Sequence, residues 1–337
     1  MNVKSQAFRS WKRTLVVTES GETSESVAPV IVSASRATDI PAFYASWFMN
    51  RLRAGFVCRT NPFNPKQVEH ISFGNTRAVV FWSKDPRPLF PYLPEIDANG
   101  IAYYFQFTLN DYRREGLEPH LSTLQERVDA FRNLADMIGP KRVVWRCDPL
   151  VLNETVTIEA LLERIDRLAA MLRGYTEKLV FSFVDIERYP KVRSRLARQG
   201  SAAREFGQEE MTAFATGLSL LNRGWGLTLA TCAEEVDFNG IGHSRCVDGP
   251  LLADLFRDDA ALTEFLGMGA DLFGSPPDWA RIRDRGQRKA CGCVASKDIG
   301  VYGTCPQLCS YCYANGFDQD VREKAARHDP LADRLIP

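Results

Sequence analysis

The sequence has no surplus of charge. Its 337 residues hold 42 Lys+Arg and 42 Asp+Glu, a formal net charge of zero. A bulk electrostatic grip on DNA, RNA or an anionic membrane is therefore not expected, because such binding draws on an excess of cations over a broad surface. No apolar run approaches the roughly 20 residues that span a bilayer. The stretch from Met1 to Thr14 has Lys4, Arg9, Lys12 and Arg13 but no apolar core of the kind a signal peptide needs. Histidine is scarce, four in all and none in residues 290–316, so a metal site there would have to use other donors. There is no internal repeat and no low-complexity segment. Hydrophobic residues at 45% and charged residues at 25% are ordinary for a globular chain, and the length suffices for one barrel-sized core or two smaller ones.

Cysteine is the residue the chain does have. There are nine, seven of them from Cys232 onward and five between Cys291 and Cys312. A chain of this length with so uneven a distribution does not read as a secreted disulfide scaffold, and a reducing, cytoplasmic setting with a bound metal fits better.

Short β-branched and aromatic runs alternate with amphipathic helical segments. After a polar leader over residues 1–28, expected to fray, strands are predicted at Val30–Ser33, Ala78–Trp82, Ile101–Thr108, Arg142–Arg146, Leu179–Val184 and Leu227–Thr231. Phe56–Arg59 reads as a short extra strand before the turn-rich Asn61-Pro62-Phe63-Asn64-Pro65. Helices are predicted between the strands, for example over Ala42–Leu52 and Thr157–Arg173. Ser122 and Gln125 are read as a capping box, with Gly139 as that helix's stop. This rhythm predicts a parallel α/β sheet buried on both faces: a TIM-like barrel, partial or permuted, over residues 29–236. Residues 237–337, rich in cysteine and broken in pattern, are expected to complete or cap it. Ser275-Pro276-Pro277 reads as a stop within them.

In parallel α/β folds, ligands gather at the C-terminal ends of the strands. The groups predicted there are Ser33 and Arg36, Trp82 and Lys84, Gln106, Thr108 and Asn110, Arg146 and Asp148, Asp185, and Thr231, Cys232 and Glu234. Polar loop residues end most strands, which accounts for about half of these positions. Lys84, Arg146 and Asp148, set directly at the exits of apolar strands, are less easily explained that way. Arg36, Lys84, Arg146, Asp148, Asp185, Glu234 and Glu235 are the candidate catalytic or anchoring residues. Glu234-Glu235 could equally be solvated.

Cys305, Cys309 and Cys312 stand at a C-x3-C-x2-C spacing, close enough for one loop to aim three thiolates at one centre. Structural zinc uses four ligands, commonly in paired arms and often with histidine, so an iron–sulfur cluster is the better reading. A cubane has four irons, and three thiolates leave one open. Cys232, Cys246, Cys291 and Cys293 form a second set. They match a second iron–sulfur cluster or a structural zinc, or they are four unrelated thiols. Cys58 and Cys147 read as isolated core thiols.

The triplet with Tyr311 before its last cysteine resembles the motif of radical S-adenosylmethionine enzymes. That resemblance implies a [4Fe–4S] cluster on Cys305, Cys309 and Cys312. It implies S-adenosylmethionine chelating the open iron, reductive cleavage to a 5′-deoxyadenosyl radical, and an electron donor such as flavodoxin or ferredoxin. Tyr311 would pack near the adenine, and Lys297 and Asp298 are candidates to contact the cofactor, with a surface ion pair as the alternative. A wider set of stretches, Val32–Arg36 with Thr38–Pro41, Asn61–Pro65, Val80–Pro86, Ser182–Asp185, Thr231–Glu235 and Cys291 through Gly300 to the triplet, resembles the domain-of-unknown-function 1848 family over about residues 29–316. That family's C-terminal cysteine cluster is described as similar to the radical enzymes' cluster; no substrate follows from it. The motif stands near the chain's end instead of after the first strand. The order is then permuted, with Ile299–Tyr302 as the strand feeding the loop, or a C-terminal arm folds back over the barrel mouth. The rival expectations are an iron–sulfur protein that transfers electrons or senses without this chemistry, its triplet completed by Cys291 or Cys293, and a zinc-stabilised binding protein.

Overall fold

A computed structural model of the chain describes residues 8, 10–61, 64–268, 277–288 and 290–337. In chain order the strands are β1 (Lys12–Val17), β2 (Thr23–Ala28), β3 (Ile31–Ala34), β4 (Phe56–Asn61), β5 (Asn64–Ser72), β6 (Ala78–Ser83), β7 (Ala102–Thr108), β8 (Val143–Leu150), β9 (Lys178–Phe183), β10 (Thr228–Cys232), β11 (Gly242–Ser244) and β12 (Lys297–Asp298). The helices are α1 (Ile40–Phe43), α2 (Ala45–Ala54), α3 (Leu93–Ala98), α4 (Leu124–Ile138), α5 (Ile158–Met171), α6 (Pro190–Arg198), α7 (Gln208–Asn222), α8 (Gly249–Leu255), α9 (Ala260–Phe265) and α10 (Asp318–Ala326).

An eight-stranded sheet runs β11-β10-β9-β8-β7-β6-β3-β12, parallel throughout. From β3 to β11 the spatial order follows the chain order. Both faces are covered, which is why the strands read as nearly continuous apolar runs. One face, with Val79, Phe81, Phe105, Phe107, Trp145 and Phe181, packs on Trp47 and Phe48 of α2, Phe131 of α4, Ile165 of α5 and Phe214 of α7. The other, with Ile31, Val80, Tyr104, Val144 and Val180, packs on Val247, on Leu252 of α8 and Leu262 of α9, and on Cys291, Cys293 and Val294.

The expected parallel α/β architecture is therefore present. Among the described residues the edge strands β11 and β12 do not pair with each other. Segments beside them do meet, since Val294 N donates to Val247 O at 3.1 Å.

Several expectations are corrected. The polar stretch expected to fray supplies β1 and β2 from residue 12 onward, in a second sheet of order β1-β2-β5-β4. Small residues hide the alternation there: Ser26 and Ala28 are buried while Glu25 is exposed. Residues 1–7 and 9 lie outside the described residues, as do Pro62 and Phe63 of the expected turn and Ser275 and Pro276 of the expected stop. The capping box is one residue later, Thr123 with Glu126, because Thr123 Oγ1 accepts from Glu126 N at 3.2 Å and Glu126 accepts from Thr123 N at 2.8 Å. The expected loop after residue 236 contains β11, a Gly-His-Ser strand with no apolar signal. The strand ahead of the cysteine loop is Lys297–Asp298, not Ile299–Tyr302, and it lies against β3.

Candidate functional site

The Cys305–Cys312 loop is positioned from β12. Asp298 there accepts from Ser33 Oγ at 2.6 Å, Ser35 Oγ at 2.7 Å, Arg36 N at 2.9 Å and Gly300 N at 2.9 Å. Gly300 must be glycine, since a Cβ would stand 1.9 Å from Ser35 Oγ. The loop backbone is then gripped from several elements. Tyr44 Oη donates to Thr304 O at 2.5 Å, Asn315 Nδ2 to Cys305 O at 2.8 Å and the buried Arg195 Nη2 to Leu308 O at 2.9 Å. Ser310 N donates to Leu117 O at 2.9 Å. Leu308 sits at φ 52°, in the left-handed region that non-glycine residues seldom adopt. Cys309 is buried, and Cys305 and Cys312 are half-buried.

A buried polar network lies under the loop. Lys84 Nζ donates to Glu118 Oε1 at 2.8 Å and to Tyr311 Oη at 3.0 Å. Tyr311 Oη donates in a short bond to Glu118 and accepts from Asn110 Nδ2 at 3.2 Å. Arg127 Nη1 stands 3.7 Å from the other Glu118 oxygen. Burial opposes the Lys84 charge, but Glu118 and then Cys309 outweigh it and hold Lys84 protonated. Burial pushes the Cys309 thiol up to about 12 and Cys305 well above its usual range, with the neighbouring cysteines adding to both. Asp39 accepts from Lys84 N at 2.9 Å and Ala42 N at 3.1 Å, yet burial raises its carboxyl to about 6.

Do these residues fit a cluster? Among the described residues, no three His, Cys, Asp or Glu side chains are set to grip a metal ion as they stand. Three observations nevertheless favour a bound group at the loop. The buried Gln307 Oε1, Ser310 Oγ and Asn315 Oδ1 have no hydrogen-bond partner among the described residues. Buried polar atoms of that kind are rare in finished structures. The donor set is three thiols and no hard ligand, the chemistry iron–sulfur clusters use. Cys309 and Cys312 also add to the rise at Cys305, and Cys312 to that at Cys309, a strain that binding as thiolates to a cationic centre would relieve.

The second cysteine set also comes together. Cys232 Sγ and Cys246 Sγ lie 3.3 Å apart, and Cys291 Sγ and Cys293 Sγ 3.0 Å apart. Cys246 N and Val247 N donate to Cys293 Sγ at 3.1 and 3.3 Å. Arg146 Nη1 donates to Cys246 Sγ at 3.4 Å and to Gln106 Oε1 at 3.2 Å. Hydrogen bonds from Cys232 and Cys293, with Arg146 and Arg36 nearby, pull the Cys246 thiol well below its usual range. Cys58 and Cys147 are buried singly, as expected.

The remaining candidates divide. Arg36 bridges both regions. Its Nη2 reaches Ser296 Oγ at 3.3 Å and Asp284 at 3.5 Å, its carbonyl accepts from Tyr313 Oη at 2.8 Å, and its buried Nη1 has no hydrogen-bond partner among the described residues. Asp148 is paired with Arg146 through Nε at 3.1 Å and in a short bond through Nη2. Asp185 pairs with Arg288 at 2.8 Å. Glu234 accepts from Phe183 N at 2.9 Å, and burial raises its carboxyl. Glu235 is exposed. Lys297 Nζ pairs with Glu69 at 2.5 Å, so it is held by the second sheet, and Asp298 is taken up by its four donors. Tyr311 is turned inward, onto Glu118. Sequence reasoning missed Glu118, Asp39, Tyr44 and Arg195, which lie outside strand ends. No sequence signal marks Glu118, which stands in the polar stretch Asp111–His120 and reads as a solvated loop carboxylate. An open cleft of about 790 Å³ lies beyond Leu117, lined by Arg114, Asn153, Thr155, Arg164, Gln199 and Ser201 among others, with no cysteine in its wall.

Among the described residues no helix is long and apolar enough to cross a membrane. No curated protein and no solved structure matches the chain. A family model, described as a domain of unknown function, DUF1848, matches residues 31–314, and the chain belongs to that family.

Proposed function

We propose that this chain is a radical S-adenosylmethionine-type iron–sulfur enzyme of a permuted, TIM-like barrel, acting on a substrate not yet identified. The observation that supports this most is the Cys305–Cys312 loop. Three thiols share it, Gln307, Ser310 and Asn315 in and beside it carry unpartnered buried polar atoms, and it is fixed by Asp298, Tyr44 and Arg195. A [4Fe–4S] cluster with S-adenosylmethionine would supply a 5′-deoxyadenosyl radical that abstracts hydrogen from the substrate. The protein's own groups would then orient and shield. Lys84, held charged by Glu118, would offset thiolate charge at Cys309. Tyr311 would close the floor of the site. Arg36, with one unpartnered guanidinium nitrogen, would take the methionine carboxylate. The cleft beyond Leu117 would admit substrate. The electron would come from a flavodoxin- or ferredoxin-type donor.

Anaerobic reconstitution with iron and sulfide, then reductant and S-adenosylmethionine, should yield 5′-deoxyadenosine and methionine. A Cys305→Ala, Cys309→Ala, Cys312→Ala variant should yield neither. No cleavage by a protein with its cluster complete would overturn the reading. The electron-transfer alternative needs a fourth protein ligand for the triplet. Cys291 and Cys293 do not favour it, because they side with Cys246.

A further inference from the structure

We propose that Cys232, Cys246, Cys291 and Cys293 bind a single zinc ion in a four-thiolate site that pins the two edges of the main sheet together. The inference goes beyond the radical chemistry and does not rest on it. The four sulfurs come from three separate parts of the chain. Cys232 ends β10, Cys246 follows β11, and Cys291 and Cys293 precede β12. The sulfur contacts at 3.3 and 3.0 Å are joined into one group by the Cys246 and Val247 amides on Cys293 Sγ.

Their spacing selects the ligand. Thiolates around one tetrahedral zinc stand about 3.8 Å apart, given zinc–sulfur bonds near 2.3 Å. The Cys232 and Cys246 sulfurs, at 3.3 Å, and the Cys291 and Cys293 sulfurs, at 3.0 Å, are both shorter than that distance. They are closer than a metal's ligands because, as free thiols, they hydrogen-bond to each other. This is why the group is not open to an ion as it stands. Binding would release the thiol protons and spread the sulfurs. A cubane must fit four irons and four sulfides between its ligands and needs a wider cage.

The surroundings suit a doubly negative zinc tetrathiolate. Two amides donate to Cys293, the Arg146 guanidinium donates to Cys246, and Arg36 lies near both. Outer donors of this kind fix and temper thiolate ligands. The location gives the site its role. β11 and β12 share no ladder, and beside the sulfurs the segments following one and preceding the other are joined by Val294 N to Val247 O at 3.1 Å.

The test is metal analysis of the full-length chain purified anaerobically, as wild type, as the Cys305→Ser, Cys309→Ser, Cys312→Ser variant, and as Cys246→Ser, Cys293→Ser. About one zinc per chain is expected in the first two and less than a fifth of that in the third. Stripping zinc from wild type should lower its melting temperature. Should the double variant fail to fold, the stripped wild type titrated with cobalt(II) under reducing conditions should give thiolate-to-cobalt bands that saturate at one ion per chain. Absence of zinc from wild type, zinc retained in the double variant, iron and sulfide retained in place of zinc in the triplet variant, or a cobalt titration without bands would each overturn the proposal. Because the triplet variant must keep its zinc, failure here and failure of the radical reading are distinguishable.

Discussion

Asp298 receives two hydroxyl and two amide hydrogen bonds, and it ties β3 to the segment that leads into the cysteine loop. Asp298→Ala would leave those donors unmatched and should cost about 3–5 kcal/mol, read as a drop in urea-unfolding stability. Lys84 and Glu118 are a sharper case. Lys84→Met leaves a carboxylate that is 1% exposed with the Tyr311 hydroxyl and, 3.7 Å away, the Arg127 guanidinium, and should cost about 3–5 kcal/mol. Lys84→Met with Glu118→Gln should cost less than the two single changes added together, and a double-mutant cycle measures the difference. Asp39 sets a pH dependence. Its folded carboxyl holds a proton up to about pH 6 and the unfolded one only to about 3.8, so folding gains from Asp39 at low pH and loses that gain as pH rises through this window. In metal-free protein, the stability of wild type relative to Asp39→Asn should fall by about 2 kcal/mol between pH 4 and 7. A flat difference would rule this out. At this scale the sequence exposed Lys84 and Arg146 because a charge at the exit of an apolar strand stands out. It did not expose Glu118, since a carboxylate in a loop reads as solvated until the fold buries it.

At the scale of elements, the strong signals were the long ones. β6, β7, β8 and β9 were legible because both their faces are apolar, and α5 because its apolar stripe is regular. β2, β11 and β12 were not. Their buried positions are Ser26, Ala28 and Ser244, or they are too short for a period to show. The join between β12 and the cysteine loop depends on close approach. Gly300→Ala puts a methyl 1.9 Å from Ser35 Oγ, and the segment must shift to accept it. Limited proteolysis should cut the Gly300→Ala variant faster within residues 297–315, and Ser35→Gly added to it should slow that cleavage again. Equal protection in wild type and Gly300→Ala would contradict the fit described.

At the scale of the whole molecule, the parallel α/β class follows from the alternation of strands and helices, and the spatial order from the chain order. What the sequence could not convey is where the edges go. The sheet's last strand comes from the end of the chain and joins beside its first, so cysteines far apart in sequence become neighbours. Cys246 is the instructive residue. In sequence it could be grouped with Cys232, Cys291 and Cys293 or stand as an unrelated thiol, and the placement of β11 and β12 brings it to Cys232 and Cys293. The contacts printed for the second set run among its own members, Cys232 with Cys246, Cys246 with Cys293 and Cys293 with Cys291. The central claim is that a cluster on this triplet has an iron open to S-adenosylmethionine. The electron paramagnetic resonance spectrum of the reconstituted, reduced protein tests it most directly. The account predicts that adding S-adenosylmethionine changes the cluster's spectrum and that Cys309→Ala abolishes the signal. A full cluster on Cys305, Cys309 and Cys312 whose spectrum is unchanged by S-adenosylmethionine would contradict it.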